Sequence, residues 1–272
     1  MLWYQYILLF LIATVAGAVN SVAGGGTLLT FPSLLWIGRL TEVVANATST
    51  VALWPGQLSS LWGYRKELGP SHKAAVLLAV PSFLGGVVGA CLLLKTDNET
   101  FRVLVPYLIL MATLLFMAQE PLARWQRQRA ERAARGSREA GGPSTALPVV
   151  PWSTGRWVGA MVFQLFVAIY GGYFGAGIGI LMLASLGFLG FTNIHQMNAL
   201  KNINGMCINA VAAVLFIVNG LVDWRLASLM AAGAILGGYA GAGTAQRLGQ
   251  KHMRRIVVFI GFALTISLLI RG

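Results

Sequence analysis

Long apolar runs separated by short polar stretches set out the chain. The first run, Tyr4 to Ile37, covers 34 residues. As one straight helix it would be about 50 Å long, well beyond a hydrocarbon core of about 30 Å. It must therefore tilt, break or turn back, and the break is expected at Gly24-Gly25-Gly26, because consecutive glycines give up the most backbone freedom in a helix. Val43 to Trp62, Ala74 to Leu94 and Val103 to Ala118 then read as three ordinary spans, with a kink expected at Pro55. A polar stretch from Gln119 to Pro151 follows. Its first part, Glu120 to Arg138, can continue as a helix, and the remainder, with Gly141-Gly142-Pro143-Ser144, Pro148 and Pro151, reads as flexible. The plan then repeats: a long run from Trp157 to Phe191, interrupted by Gly171, Gly172, Gly175, Gly177 and Gly179, and spans at Ile194 to Val218, Leu226 to Ala245 and Ile256 to Ile270.

The halves align without a gap at a shift of 152 residues, the distance from Leu84 to Leu236. Leu84-Gly85-Gly86-x-x-Gly89-Ala90 matches Leu236-Gly237-Gly238-x-x-Gly241-Ala242, and the same shift pairs Gly25 with Gly177, Asn46-Ala47 with Asn198-Ala199, and Arg102 with Arg254. Positive charge should gather on the cytoplasmic side. If each long run crossed only once, Arg247, Lys251, Arg254 and Arg255 would fall outside. If each long run is a two-legged hairpin, those residues and Arg65, Lys66 and Lys73 fall inside, with Asp97, Glu99 and Asp223 outside. The sequence therefore predicts an all-α integral membrane protein of two inverted repeats, each a Gly-broken hairpin plus three transmembrane helices. The divisions are 1–118, a basic cytoplasmic linker at 119–155, and 156–272, with the N-terminus outside. Whether the hairpin legs span fully or re-enter is left open.

Composition agrees. Hydrophobic residues make up 57% and charged residues 10%, with a mean hydropathy of +0.71. The net charge of +12 would suit a nucleic-acid partner. However, the basic residues lie between apolar runs, and no recognition module is present. The first run carries no Lys or Arg ahead of it, unlike a secretory signal, and is expected to be retained. Cys91 and Cys207 lie in apolar runs with no metal-ligand spacing, so neither a metal nor a cofactor is expected.

The candidate chemistry lies on the third span of each half. Asn198, Lys201 and Asn202 stand at i, i+3 and i+4 and share one helix face. A lysine inside a membrane helix costs about 2.5–3.5 kcal/mol, so it either serves a site or snorkels to the headgroups. Asn46, Ser49 and Thr50 occupy the equivalent first-half positions, with Gln57 further along the same face. These polar groups can also simply join helices. All eight Asp and Glu lie in loops or at segment ends, so no buried carboxylate serves a proton relay or a sodium ion. Broken helices expose unpaired N–H groups, and such ends favour anions.

Asn20-x-x-Ala23-Gly24-Gly25-Gly26-Thr27 followed by Phe31-Pro32 resembles the first-half signature of the sulfite exporter TauE/SafE family. Gly171-Gly172-x-x-Gly175-Ala176-Gly177-x-Gly179 followed by Asn198-Ala199-x-Lys201-Asn202 resembles its second-half signature. The resemblance implies a multi-pass permease of the bacterial inner membrane that moves sulfite, organosulfonates or related small anions, with export the expected direction. The expected site holds Asn20, Gly24, Gly25, Gly26, Thr27, Asn46, Ser49, Thr50, Gln57, Gly175, Gly177, Asn198, Lys201 and Asn202. Within it the glycines and Thr27 offer N–H groups, Lys201 neutralises charge, and Asn46, Ser49, Asn198 and Asn202 orient the ligand. The partners are thus a small anion and the lipid bilayer. An anion channel and a membrane assembly protein are the rival readings; a membrane enzyme has little support without a buried acid–base pair or metal motif.

Overall fold

The computed structural model describes residues 1–22, 24–65, 72–139, 154–191 and 193–244, and scattered helical positions between 258 and 270. Helices α1 (Trp3–Val22), α2 (Thr27–Trp36), α3 (Glu42–Gly63), α4 (His72–Lys95) and α5 (Asn98–Glu139) form the first half. Helices α6 (Thr154–Tyr173), α7 (Ile178–Phe188), α8 (Ile194–Val218) and α9 (Trp224–Thr244) belong to the second. There is no strand among the described residues. The basic cluster Arg247 to Arg255 lies outside them, as do most of the last expected span and the flexible part of the linker.

Both long runs break where the glycines fall. α1 ends at Val22 and α2 begins at Thr27, with Gly24 at φ 77°. Gly175 and Gly177 take φ 82° and 79° between α6 and α7, a left-handed backbone that any side chain would strain. The chain also doubles back: a Cβ added to Gly26 would stand 2.6 Å from the Ala16 carbonyl oxygen on α1. The second legs are short, with ten residues in α2 and 11 in α7. At 1.5 Å per residue each is about 15–17 Å long, half of a hydrocarbon core, so neither leg crosses on its own. Pro55 is accommodated inside α3 without interrupting it. α5 runs unbroken past residue 118 to Glu139, carrying the first part of the linker as helix.

Local signals fix the helix starts. The Asp97 carboxylate accepts from Thr100 N and Thr100 Oγ1 at 2.9 and 2.7 Å. These bonds hold its pKa below the usual carboxylate value. Asn193 Oδ1 accepts from the N–H of His195 in the same way at the head of α8.

The fourth helix of each half packs against the first and third helices of the other. α9 lies on α1 and α3, and α4 lies on α6 and α8. The two third helices, α3 and α8, pack on each other. Gln57 lies beside Gly205, whereas Val51, six residues earlier, clusters with Ala213, eight residues later. α3 and α8 therefore run antiparallel. Exchanging the halves leaves this set of contacts unchanged, as the 152-residue shift implies. The Gly-Gly-x-x-Gly motifs make it possible. Gly85 faces Leu165 and Ala168 on α6 while Gly237 faces Thr14 and Ala18 on α1; Gly86 faces Ile208 on α8 while Gly238 faces Gly56 on α3. Small residues let helix backbones approach where lipid supplies no hydrophobic drive between helices.

The outside is apolar. On α4, Val76, Val80, Phe83, Leu84, Val88 and Leu92 are all exposed, at a helical spacing. Such a stripe would be a liability in water and suits contact with lipid tails. Among the described residues, four helices are long and apolar enough to cross a membrane: Trp3–Ser21, Lys73–Lys95, Asn98–Ala118 and Ile194–Val218.

An added Cβ at Gly85 would stand 2.5 Å from the Ala168 Cβ and 2.6 Å from the Leu165 carbonyl oxygen. Gly85→Leu should therefore cost at least about 1–3 kcal/mol through overpacking. Thermal unfolding in detergent checks this, with Gly155→Ala as the control, since nothing lies within 4 Å of its added Cβ. Equal midpoints for the two variants would contradict the α4–α6 packing.

Candidate functional site: the paired helix breaks

The two breaks meet. A Cβ added to Gly24 would stand 2.5 Å from the Gly179 Cα and 2.8 Å from its nitrogen, so backbone touches backbone. Around this contact the third helix of each half reaches into the break of the other half. Lys201 of α8 donates to the carbonyl oxygens of Asn20 and Ser21, at 3.2 and 2.9 Å, at the end of α1. Asn46 of α3 donates through Nδ2 to the Tyr173 carbonyl oxygen, at 2.9 Å, at the end of α6. Tyr173 is the 152-residue counterpart of Ser21, so the two bonds end on equivalent carbonyls, although their donors stand at different positions of the repeat. A helix end leaves unpaired carbonyls carrying partial negative charge. An amide satisfies them on one side and an ammonium on the other.

Lys201 is 2% exposed. It does not snorkel; its long stem carries the ammonium inward to α1. The ion pair between Arg102 and Glu42, at 3.9 Å, is the only one among the described residues, and Lys201 has no part in it. Its charge is offset only by the dipole end of α1. Two of its three N–H donors are used by these carbonyls. On the same face Asn198 Oδ1 and Asn202 Nδ2 are buried without a hydrogen-bond partner, as is Asn46 Oδ1 on the opposite side.

The remaining expected residues divide. Gly24, Gly25, Gly26, Thr27, Gly175 and Gly177 all lie in the breaks. Among the described residues, the N–H groups of Gly25, Gly26 and Thr27 donate to no backbone carbonyl, and neither do those of Ala176, Gly177 and Ile178. The glycines also have a packing reason for being glycine. Gly25 lies under the Phe116 ring and Gly26 against Ala16, in addition to the Gly24–Gly179 contact. Close approach of protein to protein, as at Gly85, Gly86 and Gly89 on α4, thus explains the first break as well. Ser49, the counterpart of Lys201, bonds the Thr30 hydroxyl at 2.6 Å and ties α3 to α2. The Thr50 hydroxyl donates to the Asn46 carbonyl of its own helix. Gln57 is separated from Asn46 by eleven residues, about 16 Å of helix rise. It lies instead beside Gly205, one turn from Lys201 and Asn202, with Oε1 unpaired.

Several contributors escaped the sequence reading. The Tyr170 hydroxyl donates to the Ala176 carbonyl at 2.8 Å and shapes the second break. Phe174, inside that break, is packed edge-on by Phe31 of α2 and Phe101 of α5, with ring centres 5.3 and 6.3 Å away. Gln164 donates to the Ser82 hydroxyl at 2.8 Å, and that hydroxyl lies 3.4 Å from Asn204 Oδ1, a buried network joining α6, α4 and α8. The counterparts of Gln164, Ser82 and Asn204 in the opposite halves are Ile12, Ala234 and Ala52, so nothing in the repeat announces it. A lone glutamine in an apolar run was the available signal.

Burial and capping of Lys201 carry two consequences. A water-soluble amine reagent applied to the folded protein should modify exposed Lys73 and Lys95 and spare Lys201, as read by peptide mass mapping. Lys201→Met removes the ammonium from the Asn20 and Ser21 carbonyls, of which Asn20 keeps the Gly24 N–H and Ser21 is left without a donor among the described residues; it should cost about 1–3 kcal/mol of stability, read as a lower thermal midpoint in detergent. A Lys201 as reactive as Lys73 would contradict the geometry.

The comparisons agree with this architecture. The family model for the sulfite exporter TauE/SafE matches residues 9–268. A probable membrane transporter protein of Haemophilus influenzae is 28% identical, over 95% of this chain and 92% of its own length. The probable membrane transporter protein YfcA of Escherichia coli K12 is 27% identical, over 96% and 88%. YunE of Bacillus subtilis, also a probable membrane transporter protein, is 24% identical, over 94% and 96%. No solved structure matches the chain. With nearly its whole length matched, the chain is a multi-pass membrane transporter and belongs to the sulfite exporter TauE/SafE family.

Proposed function

We propose that this transporter is a secondary carrier that exports a small sulfur-containing anion, sulfite or an organosulfonate, across the bacterial inner membrane. The observation that carries the reading is Lys201: a buried ammonium with no carboxylate partner among the described residues, standing at a helix break where the N–H groups of Gly25, Gly26 and Thr27 donate to no backbone carbonyl of the described residues. An uncompensated cation in a low-dielectric site favours an anion strongly. The anion sits at the first break. It accepts from the free N–H groups of Gly25, Gly26 and Thr27 and from the third N–H of Lys201, in the manner of anions at helix N-termini. Asn198 and Asn202, unpaired beside Lys201, set its orientation.

Transport follows from the same parts. The antiparallel α3 and α8 support inverted halves, in which each break is approached from opposite membrane faces. Rocking of one half against the other then exposes the site alternately. The repeats are 1–118 and 156–272, and the linker at 119–155, with six arginines between Gln119 and Arg138, faces the cytoplasm on charge. The half-site at the second break holds Asn46 in place of a cation, so a single anion binds at the first break.

The test is binding and flux. Purified protein is screened by thermal shift against sulfite, sulfoacetate, taurine, thiosulfate and sulfate, and any hit is assayed in proteoliposomes for saturable uptake and counterflow. Losing the charge-assisted bond in Lys201→Gln should weaken the preferred anion roughly 10- to 100-fold. Unchanged affinity in a folded Lys201→Gln would remove Lys201 from the site. Non-saturating flux without counterflow would point to a channel.

A further inference from the structure

A second feature of the molecule lies away from the breaks, where the short α7 leaves the start of α6 uncovered. An open cavity of about 400 Å³ lies there, lined by Arg156, Gly159, Ala160, Phe163, Ser185, Phe188 and Leu189. Its volume is within the roughly 300–1,000 Å³ of ligand clefts. The walls are apolar and open outward, with Phe163 41% and Phe188 57% exposed. The mouth carries one cation. Arg156 is exposed and donates through Nη2 to the Phe188 carbonyl oxygen at 2.6 Å, which fixes its head at the rim. The Ser185 hydroxyl lines the same cavity, is 6% exposed, and has no hydrogen-bond partner among the described residues.

The equivalent positions of the opposite half carry different residues. At a shift of 152 residues, Gly155, Arg156 and Gly159 correspond to Trp3, Tyr4 and Ile7. Bulky side chains without charge stand where the second half has two glycines and an arginine. Nothing lies within 4 Å of a Cβ added to Gly155 or Gly159, so these glycines serve neither a turn nor a close helix contact. They leave the groove empty.

We propose that this groove is a binding site for an anionic phospholipid. The phosphate pairs with the free N–H groups of the Arg156 guanidinium, whose planar fork suits phosphate oxygens. The Ser185 hydroxyl donates to a glycerol-ester or phosphate oxygen, and an acyl chain lies between Phe163 and Phe188. Basic pockets between membrane helices take anionic head groups in this way. The occupant is a lipid rather than a soluble phosphate because the groove behind the cation is apolar and opens along the lipid-facing side. The ligand braces α6 against α7, the two legs of the second hairpin.

Native mass spectrometry and thermal shift of the purified full chain test this, with phosphatidylglycerol and phosphatidylcholine added separately. The wild type should retain and be stabilised by phosphatidylglycerol in preference to phosphatidylcholine. Arg156→Gln should lose about fivefold in phosphatidylglycerol affinity, the worth of one arginine at an anionic surface. Gly159→Leu, which fills the groove without a clash, should lose the preference as well and serves if Arg156→Gln folds poorly. Equal stabilisation by the two lipids, or full phosphatidylglycerol preference in both variants, overturns the assignment. An Arg156-dependent shift of the same size from soluble glycerol phosphate overturns it in favour of a free phosphate.

Discussion

The structure depends on one contact, the meeting of two interrupted helices at Gly24 and Gly179, where backbone lies on backbone with no room for a Cβ. A broken helix inside a membrane exposes N–H and carbonyl groups that lipid cannot satisfy, so it persists only when protein covers it. Each break here is covered by the other, and by the third helix of the opposite half. The breaks and the crossed packing are therefore one constraint: neither hairpin would be stable with its ends facing lipid.

The crossed arrangement also explains how two halves of the same plan make an unequal site. Lys201 and Asn46 perform the same structural task, bonding the carbonyls that end α1 and α6. They differ in charge. Ser49, standing where the second half has Lys201, is turned to Thr30 and leaves its break neutral. One buried positive charge is thus delivered to one of two equivalent breaks. The ammonium stands at the end of α1, and the buried unpaired side-chain groups on its own helix are the amides of Asn198 and Asn202 rather than carboxylates. The proposed anion site rests on that placement, whether or not the ligand contains sulfur.

Much of this was legible in the sequence because glycine placement carries two kinds of information. The run Gly24–Gly26 and the pair Gly175 and Gly177 are poor helix material, and the structure breaks there, whereas Gly171, Gly172 and Gly179 stay helical. The Gly-Gly-x-x-Gly motifs at 85–89 and 237–241 announced both the repeat and close packing. The ends of α2 and α7 fall just before Gly38 and Gly190, with Gly190 at φ 96° and both bonded back into their own legs; among so many glycines the sequence did not mark these two as the stops of re-entrant legs. The inward turn of Lys201 was also hidden, because snorkelling and capping require the same residue at the same spacing and differ only in which helix stands opposite. Gln57 was grouped with Asn46 on a shared helix face, but a face extends along the whole helix, and the two lie about 16 Å apart along it.

The central claim is that a cation-flanked break receives the transported anion. The most direct measurement is a density map of the protein in a membrane mimetic with its preferred anion bound. The account predicts density for the anion within hydrogen-bond distance of Lys201 Nζ and of the Gly25, Gly26 and Thr27 nitrogens, with Gly24 and Gly179 still adjacent. Anion density elsewhere in the molecule, or α1 and α2 continuous through the glycines, would contradict it.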